Sequence, residues 1–360
     1  MSQAALIFDR QSVLPGENKD IRIKISESYT GTDVLMPLRV IRAKAEGPVV
    51  FVTAAIHGDE INGTGIIHDF LFGDAVSLLQ GTLILVPVVN VFGFEAHERY
   101  LPDRRDLNRS FPGNEHGSLA SRVAHKLMRE VVEKSDFGID LHSAAFQRTN
   151  YPNVRADLSQ KSVRELAQAF GAALVVDGKG PIGCFRREAT RAGCPTIILE
   201  AGEPWKIEPS VLQIGVQGIR NVLDSLGMIT GGQRVEPPYQ AIIRKSTWLR
   251  ASVSGIIKFH ITAGDFVEAG QPIATNYSIL GEAQNVLLCP KDGIILGLAT
   301  MPAVKPGEPI CHLAYPNKRI STLRRQMTRA EPNTLGQTGE DLATNISVVE
   351  WADRSVISDT

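Results

Sequence analysis

Short, continuous apolar runs rich in β-branched residues recur along the chain, and polar segments separate them. Runs of this kind, without polar alternation, are typical of strands buried on both faces. Helical patterns lie between them, and strands that alternate with helices predict an α/β fold with a mostly parallel or mixed sheet flanked by helices. The strand candidates are residues 49–56, 82–89, 137–141, 173–176 and 196–199, and the helix candidates are 64–72, 120–134, 159–170 and 209–226. We assign this unit to residues 46–230.

The segments on either side of this unit have different patterns. Residues 1–45 form a β-rich lead-in, since 21–25 alternates with period two and 36–41 is a second strand candidate. Residues 231–316 contain glycines and short strand-like pieces, with a weak internal repeat whose two units begin near Gly255 and Gly293. This β-rich domain resembles the small barrel of biotinyl/lipoyl-type domains, although no Met-Lys-Met carrier sequence is present. We expect residues 317–360 to be a polar, solvated tail.

Composition excludes several classes of partner. The 360 residues are 43% hydrophobic and 21% charged with a net charge of -1, so nothing draws the whole protein to nucleic acid or an acidic membrane. The apolar N-terminal run is too short for a signal sequence, and no stretch is as long as a membrane span, so we expect a cytoplasmic protein. The four cysteines lack C-x-x-C spacing and are expected to be reduced thiols. A homo-oligomer is compatible with the sequence.

Polar residues follow four of the apolar runs at the point where each strand is predicted to end. The first run ends in His57 and Glu60, the second in Asn90, the third in His142 and the fifth in Glu200. Ligands bind in open α/β folds at the carboxyl edge of the sheet, so these side chains are expected to converge there. One such ending could be chance, whereas four at one edge indicate a site.

Two imidazoles and one carboxylate suit a zinc ion with an open fourth position. An isolated H-x-x-E pair is usually only polar strand-end residues, but His142 at a second strand end favours His57, Glu60 and His142 as zinc ligands. Asp140 shares a strand face with His142 and could orient its ring. A separate role for Asp140, as a cap or in a salt bridge, is equally compatible with the sequence.

A zinc hydrolase also needs a general base, and a carboxylate beside the metal-bound water can take its proton. Glu200 ends an apolar strand and is therefore held rigidly, so we favour it over Glu203 just beyond. The polar loop 99–113 contains four arginines, and long loops of this kind are usually functional. We expect Asn108 and Arg109 to face the site.

Four motifs together resemble the succinylglutamate desuccinylase/aspartoacylase family of zinc carboxypeptidase-like hydrolases, in its broad bacterial deacylase branch. The motifs are His57-Gly-Asp-Glu60, Asp106-Leu-Asn-Arg109, Asp140-Leu-His142 and Glu200-Ala-Gly202. The resemblance covers residues 46–316 and implies a hydrolase that removes the acyl group of an N-acyl amino acid or related amide. It implies one zinc per chain, with Glu200 as general base and then proton donor.

The same resemblance implies roles for several polar side chains. Arg99 would polarise the scissile carbonyl, while Asn108 and Arg109 would hold a substrate carboxylate. The β-rich C-terminal domain would border the mouth of the active site. The acyl-side pocket would contain the arginines that follow the third and fourth strands, namely Arg148, Arg155 and Arg186.

Two alternatives remain open from the sequence. The same zinc site could serve a carboxypeptidase acting on short peptides, although the C-terminal domain argues against the roomier cleft that this activity needs. A non-catalytic binding protein with a relic site is disfavoured, because His57, Glu60, His142 and Glu200 are all present.

Overall fold

A computed structural model of the protein describes residues 4–73, 76–230, 236–329, 338–339 and 341–343. The strands are β1 (Leu6–Phe8), β2 (Gln11–Val13), β3 (Asn18–Glu27), β4 (Asp33–Arg42), β5 (Ala45–Ala54), β6 (Gln80–Val86), β7 (Phe137–His142), β8 (Arg148–Ala156), β9 (Leu174–Asp177), β10 (Thr196–Gly202), β11 (Ala241–Arg250), β12 (Gly255–Phe259), β13 (Phe266–Val267), β14 (Pro272–Tyr277), β15 (Ala283–Leu288), β16 (Gly293–Ala299), β17 (Ala303–Val304) and β18 (Pro309–Pro316). The α-helices are α1 (Asn62–Phe72), α2 (Val91–Ala96), α3 (Leu119–Glu130), α4 (Lys161–Phe170), α5 (Phe185–Arg191), α6 (Pro209–Ser225) and α7 (Ile320–Arg329). Short 3-10 turns lie at Leu107–Arg109 and Val132–Lys134.

Twelve of the described strands build one large mixed sheet, which confirms the predicted α/β class. From edge to edge the order is β3, β4, β6, β5, β7, β10, β8, β9, β11, β18, β16 and β13. The central strands β6, β5, β7 and β10 are mutually parallel, so their carboxyl ends lie at one edge. Apolar cores fill both faces of this region, with α1, α4 and α6 on one side and α3 and α5 on the other. All five strand candidates and all four helix candidates coincide with observed elements.

Strand β8 was not among the strand candidates. It lies between β10 and β9, antiparallel to β10 and parallel to β9. Its sequence, Arg-Thr-Asn-Tyr-Pro-Asn-Val-Arg-Ala, has neither a continuous apolar run nor strict alternation, so it lacks both patterns by which strands are recognised. Its placement makes the sheet mixed and brings Asn150 beside Glu200.

The main sheet also extends beyond both ends of the unit assigned to residues 46–230, because strands from the flanking segments join it. In the lead-in, β4 pairs with β6, so β3 and β4 extend the main sheet. Towards the C-terminus, β11 pairs in parallel with β9, and β16 pairs with β8. Strands β8, β9, β11, β18 and β16 therefore form a closed ring. The boundary residues Gly231 and Gly232 lie outside the described residues.

The C-terminal region has a further sheet and an apolar core of its own. Strands β15, β14, β12 and β17 form this sheet, and the core includes Ile257, Ile273, Ile295 and Ile310. The predicted repeat corresponds to β12–β13–β14 and β16–β17–β18. The two units exchange short strands, because β13 pairs with β16 and β17 pairs with β12. The likeness of this region to biotinyl/lipoyl-type barrels stays a prediction.

Residues 320–329 differ from the solvated segment expected there. They form α7, whose Ile320 and Leu323 are buried in the main core together with Leu342. Because α7 is polar apart from these few positions, its composition hides the narrow apolar stripe. Of the helices in the described part of the chain, none is long and apolar enough to cross a membrane.

Candidate active site and metal centre

The turn that follows β5 carries the first two candidate ligands. Ala55 adopts a left-handed backbone with φ of 51°, which turns the chain sharply at the end of the strand. Gly58 then packs directly against α2, since a Cβ placed on it would lie 1.9 Å from the carbonyl carbon of Gly93. The glycine is therefore needed for a close approach of two backbones rather than for a positive φ. This contact holds His57 and Glu60 against the sheet edge.

Glu60 lies between the two candidate histidines, and all three residues are buried. Its Oε1 is 2.7 Å from Nδ1 of His57, and its Oε2 is 2.8 Å from Nδ1 of His142. The backbone N–H of Ser143 also donates to Oε2 at 3.0 Å. One ligand atom from each of the three side chains lies within 4.8 Å of the others. The sequence-predicted metal ligands are thus brought together.

Each imidazole has a second carboxylate on its far nitrogen. Nε2 of His142 is 2.8 Å from Oδ2 of Asp140, and Nε2 of His57 is 3.1 Å from Oδ1 of Asp106. A neutral imidazole facing an acceptor carries its hydrogen on Nε2, so both Nδ1 lone pairs point at the oxygens of Glu60. Lone pairs of three acceptors that face one another require a cation or protons between them.

The pKa shifts of these groups also indicate that positive charge is needed between them. Burial opposes protonation of His142, but Asp140 and Glu60 outweigh it and hold the pKa of His142 well above its ordinary value. Burial likewise opposes ionisation of Glu60, but His57 and His142 outweigh it and hold the pKa of Glu60 well below its usual range. Two nitrogens, one carboxylate and two outer carboxylates fit a zinc ion with an open position. The donor set is therefore chemically suited to the predicted metal.

Arg99 lies beside this cluster on the loop that follows α2. Its Nη1 donates to Oε1 of Glu60 at 2.9 Å, and its Nη2 donates to Oδ2 of Asp106 at 3.4 Å. Asp106 also accepts from the backbone N–H of Asn108, which fixes the start of the 3-10 turn. Asp106 is part of the Asp106-Leu-Asn-Arg109 motif, but its contact with His57 spans 49 residues, so local spacing gives no sign of it.

Glu200 occupies the position next to His142 in the sheet. The two residues are register partners in the parallel pair β10 and β7. Its Oε2 accepts from Nδ2 of Asn150 at 3.1 Å, and its Oε1 is 3.5 Å from Nη1 of Arg155. The alternative base, Glu203, is held instead by Lys206 and Thr300, each at 2.5 Å. Asn150 was missed, because nothing in the sequence marked β8 as a strand.

Both asparagines that the sequence predicts at the site, Asn90 and Asn108, make hydrogen bonds to backbone groups of the protein. Asn90 caps α2, since its Oδ1 accepts from the backbone N–H of Gly93. Asn108 is buried, and its Oδ1 accepts from the backbone N–H of Phe185 at the start of α5. Arg109 is exposed, and its Nη1 donates to the carbonyl of Asn108.

The three arginines of the expected acyl-side pocket make different contacts in the structure. Arg155 contacts Glu200, whereas Arg186 is buried and its Nη1 donates to the carbonyl of Gly178 at 2.7 Å. Burial lowers the pKa of Arg186. The charge of Arg155 also lowers it, whereas the charge of Glu200 raises it. Arg148 stacks over Trp248 at 4.9 Å from the ring centroid.

The chain belongs to the succinylglutamate desuccinylase/aspartoacylase family, whose catalytic domain matches residues 46–226. This confirms the resemblance drawn from the four motifs. A curated relative, N-alpha-acetyl-L-2,4-diaminobutyric acid deacetylase from Halomonas elongata, is 29% identical over 324 residues, which span 86% of this chain and 94% of the relative.

Solved structures of the family share the fold. A succinylglutamate desuccinylase from Silicibacter sp. TM1040 matches with a TM-score of 0.74 at 23% identity, over 87% of this chain and 98% of that protein. A succinylglutamate desuccinylase/aspartoacylase from Rhodobacter sphaeroides matches with a TM-score of 0.71 at 25% identity, over 83% of this chain and 95% of that protein. The match extends beyond the catalytic domain, so the C-terminal strands are part of the shared architecture.

Proposed function

We propose that the protein is a zinc-dependent amidohydrolase that removes the acyl group from an N-acyl amino acid or a related amide. The observation that carries this proposal is the buried group of His57, Glu60 and His142 beside Glu200, which is the register partner of His142. The family and the relative named as a deacetylase support the same reaction class.

In the proposed reaction, His57, Glu60 and His142 would hold one zinc ion. When bound, zinc lowers the pKa of its water towards about 7 and polarises a carbonyl oxygen. Glu200 takes a proton from the attacking water and returns it to the leaving nitrogen. Asn150 orients the carboxylate of Glu200 for both transfers. Asp106 and Asp140 fix the tautomers of the two histidines.

The substrate is proposed to be a small amide with a carboxylate. Arg99 is one quarter exposed and is proposed to hold the scissile carbonyl. Arg109 is proposed to hold the substrate carboxylate, with the side-chain N–H groups of Asn108 beside it. The C-terminal region is proposed to be a biotinyl/lipoyl-type barrel that borders the mouth. The bond from Thr300 to Glu203, on the loop that follows Glu200, supports this placement.

A substrate screen combined with metal analysis tests this function. Purified protein is expected to hold about one zinc per chain and to hydrolyse at least one member of an N-acetyl, N-succinyl and N-formyl amino acid panel. Removal of the metal by a chelator should abolish turnover, and added zinc should restore it.

Three outcomes would each contradict a part of the proposal. Dipeptides hydrolysed faster than every acyl amino acid would indicate the carboxypeptidase. Zinc-free protein that still binds acyl amino acids without turnover would indicate the relic site. Equal rates on charged and neutral substrates would contradict the role given to the arginines.

A further inference from the structure

Trp205 lies in the turn that follows β10 and has a left-handed backbone, with φ of 60°. It comes directly after Pro204, and glycine or asparagine usually occupies a left-handed position that follows proline in a turn. A bulky residue in this conformation is strained, and such strain persists only where the surrounding contacts hold it. The side chain of Trp205 is 49% exposed, so burial of the ring alone does not explain its place.

Both N–H groups of Trp205 donate to backbone carbonyls beside the candidate active site. Its main-chain N–H donates to the carbonyl of Asp59 at 2.8 Å, and Nε1 of its indole donates to the carbonyl of His97 at 3.0 Å. Asp59 lies in the turn after β5, whereas His97 ends α2. One strained residue therefore joins two segments of the site that are far apart in sequence.

These two segments carry the two members of one ion pair. Glu60 directly follows the acceptor Asp59. Arg99 lies two residues beyond the acceptor His97, and its Nη1 donates to Oε1 of Glu60 at 2.9 Å. Loss of the indole N–H would release the segment that carries Arg99, while the main-chain bond to the turn of Glu60 would stay.

The segment after His97 has little other support from outside α2. His97 is exposed and left-handed, with φ of 55°, and α2 has only six residues. The N–H of Glu98 donates to the carbonyl of Gly93 within the same helix at 2.8 Å. The carbonyl of Arg99 accepts from the residue that caps this helix, at 3.4 Å. Because so short a helix is marginal by itself, the bond from the indole is an important tie to the rest of the site.

We propose that Trp205 is a positioning residue that holds Arg99 for the reaction through the bond from its indole to His97. The inference rests on the proposed function, in which Arg99 holds the scissile carbonyl. That oxygen gains negative charge as water attacks, so a guanidinium fixed beside it stabilises the transition state more than the bound substrate. Phe146 packs edge-on against the indole, with ring centroids 5.3 Å apart, and supports its orientation.

The test removes the indole N–H and keeps an aromatic ring. With the best N-acyl amino acid, Trp205→Phe should lower kcat about tenfold, because small displacements of a positioning group are costly, while KM changes less than about threefold and bound zinc stays the same. Tyr100→Phe is the matched control. Tyr100 lies beside Arg99, is 46% exposed, and its hydroxyl has no hydrogen-bond partner among the described residues. This control should leave kcat and KM unchanged.

The double variant with Arg99→Met separates positioning of Arg99 from general damage to the site. If the indole acts through Arg99, Trp205→Phe should lower the kcat of the Arg99→Met protein less than about twofold. An equal tenfold loss in both backgrounds would overturn the inference, as would a rise in KM at unchanged kcat. If Trp205→Phe does not fold, Trp205→Gly replaces it, because glycine adopts the left-handed backbone without strain, and it should lose at least as much kcat.

Hydrogen exchange followed by mass spectrometry tests the same contact without catalysis. In Trp205→Phe the amides of residues 98–104 should exchange at least about threefold faster, and in Tyr100→Phe at the unchanged rate. Faster exchange in a protein that hydrolyses no acyl amino acid would support the contact, and only the proposed function would fail. Exchange that Trp205→Phe leaves unchanged would overturn the inference, as would faster exchange at unchanged kcat in an active protein.

Discussion

Asp140 accepts a hydrogen bond from Nε2 of His142, the ring nitrogen that points away from Glu60, with 2.8 Å between Oδ2 and Nε2. The other oxygen of Asp140 accepts from the hydroxyl of Thr53 at 2.8 Å, and both partners are buried. The carboxylate is therefore held on both sides. Of the two roles that the sequence left open for Asp140, orientation of His142 is the one that these contacts support.

Asp140→Asn should weaken zinc binding about tenfold, and Asp140→Ala by up to about 100-fold. The asparagine keeps the shape and one acceptor but removes the charge that strengthens His142 as a ligand. Competition with a chromogenic chelator measures the affinity. Thr53→Val, which removes only the support of Asp140, should have a smaller effect. Zinc affinity unchanged in Asp140→Ala would show that Asp140 does not act on the metal site.

Gly58→Ala should destabilise the protein by more than about 3 kcal/mol, because the added Cβ would meet the backbone of Gly93, which cannot move aside as a side chain can. Urea unfolding followed by circular dichroism measures the change. Gly178→Ala is the matched control, since a Cβ there meets nothing within 4 Å. Equal stabilities of the two variants would contradict the close packing of the turn on α2.

His312 should make the protein less stable in acid. Burial, together with Arg155 and Arg148, lowers the pKa of His312 from 6.5 to about 4. The unfolded chain therefore takes up this proton below about pH 6.5, while the folded protein takes it up only below about pH 4. The stabilisation is complete above pH 6.5 and is lost as the pH falls from 6.5 to 4, by at most about 3 kcal/mol.

The variant His312→Gln isolates this contribution, because glutamine can keep the hydrogen bond that His312 makes with Ser246 and does not titrate. The free energy of unfolding is measured at pH 7 and at pH 4.5 for both proteins. We expect the unchanged protein to lose more stability than the variant over this interval. Parallel losses would show that His312 titrates normally.

The catalytic half of the fold could be predicted from sequence because its strands are buried on both faces. Continuous apolar runs such as that of β5 are short and rich in β-branched residues, which favours a buried strand over a buried helix, and polar residues at their ends then mark the active edge. This is why His57, Glu60, His142 and Glu200 were found together. Asn90 also ends such a run, yet it caps a helix, so the pattern marks the edge and not the role.

The other contacts around the site depend on which strands pack together, and the local sequence carries no pattern that shows this. Strand β8 is polar, yet it is covered on both sides by its neighbours, and it supplies both Asn150 and Arg148. The stack of Arg148, Trp248 and His312 joins three strands that are far apart in sequence. Periodicity reports burial along one element, and it cannot report which elements become neighbours.

Glu200→Gln is the most direct test of the proposed mechanism, because it removes the base while it keeps the size of the side chain and its contact with Asn150. Turnover of the best N-acyl amino acid is measured together with bound zinc, and Glu203→Gln serves as the matched control. If Glu200 is the base, Glu200→Gln loses about 10²-fold or more in kcat at unchanged zinc content, while Glu203→Gln stays close to the unchanged protein. A Glu200→Gln protein that retains its zinc and its full turnover would contradict the proposed mechanism.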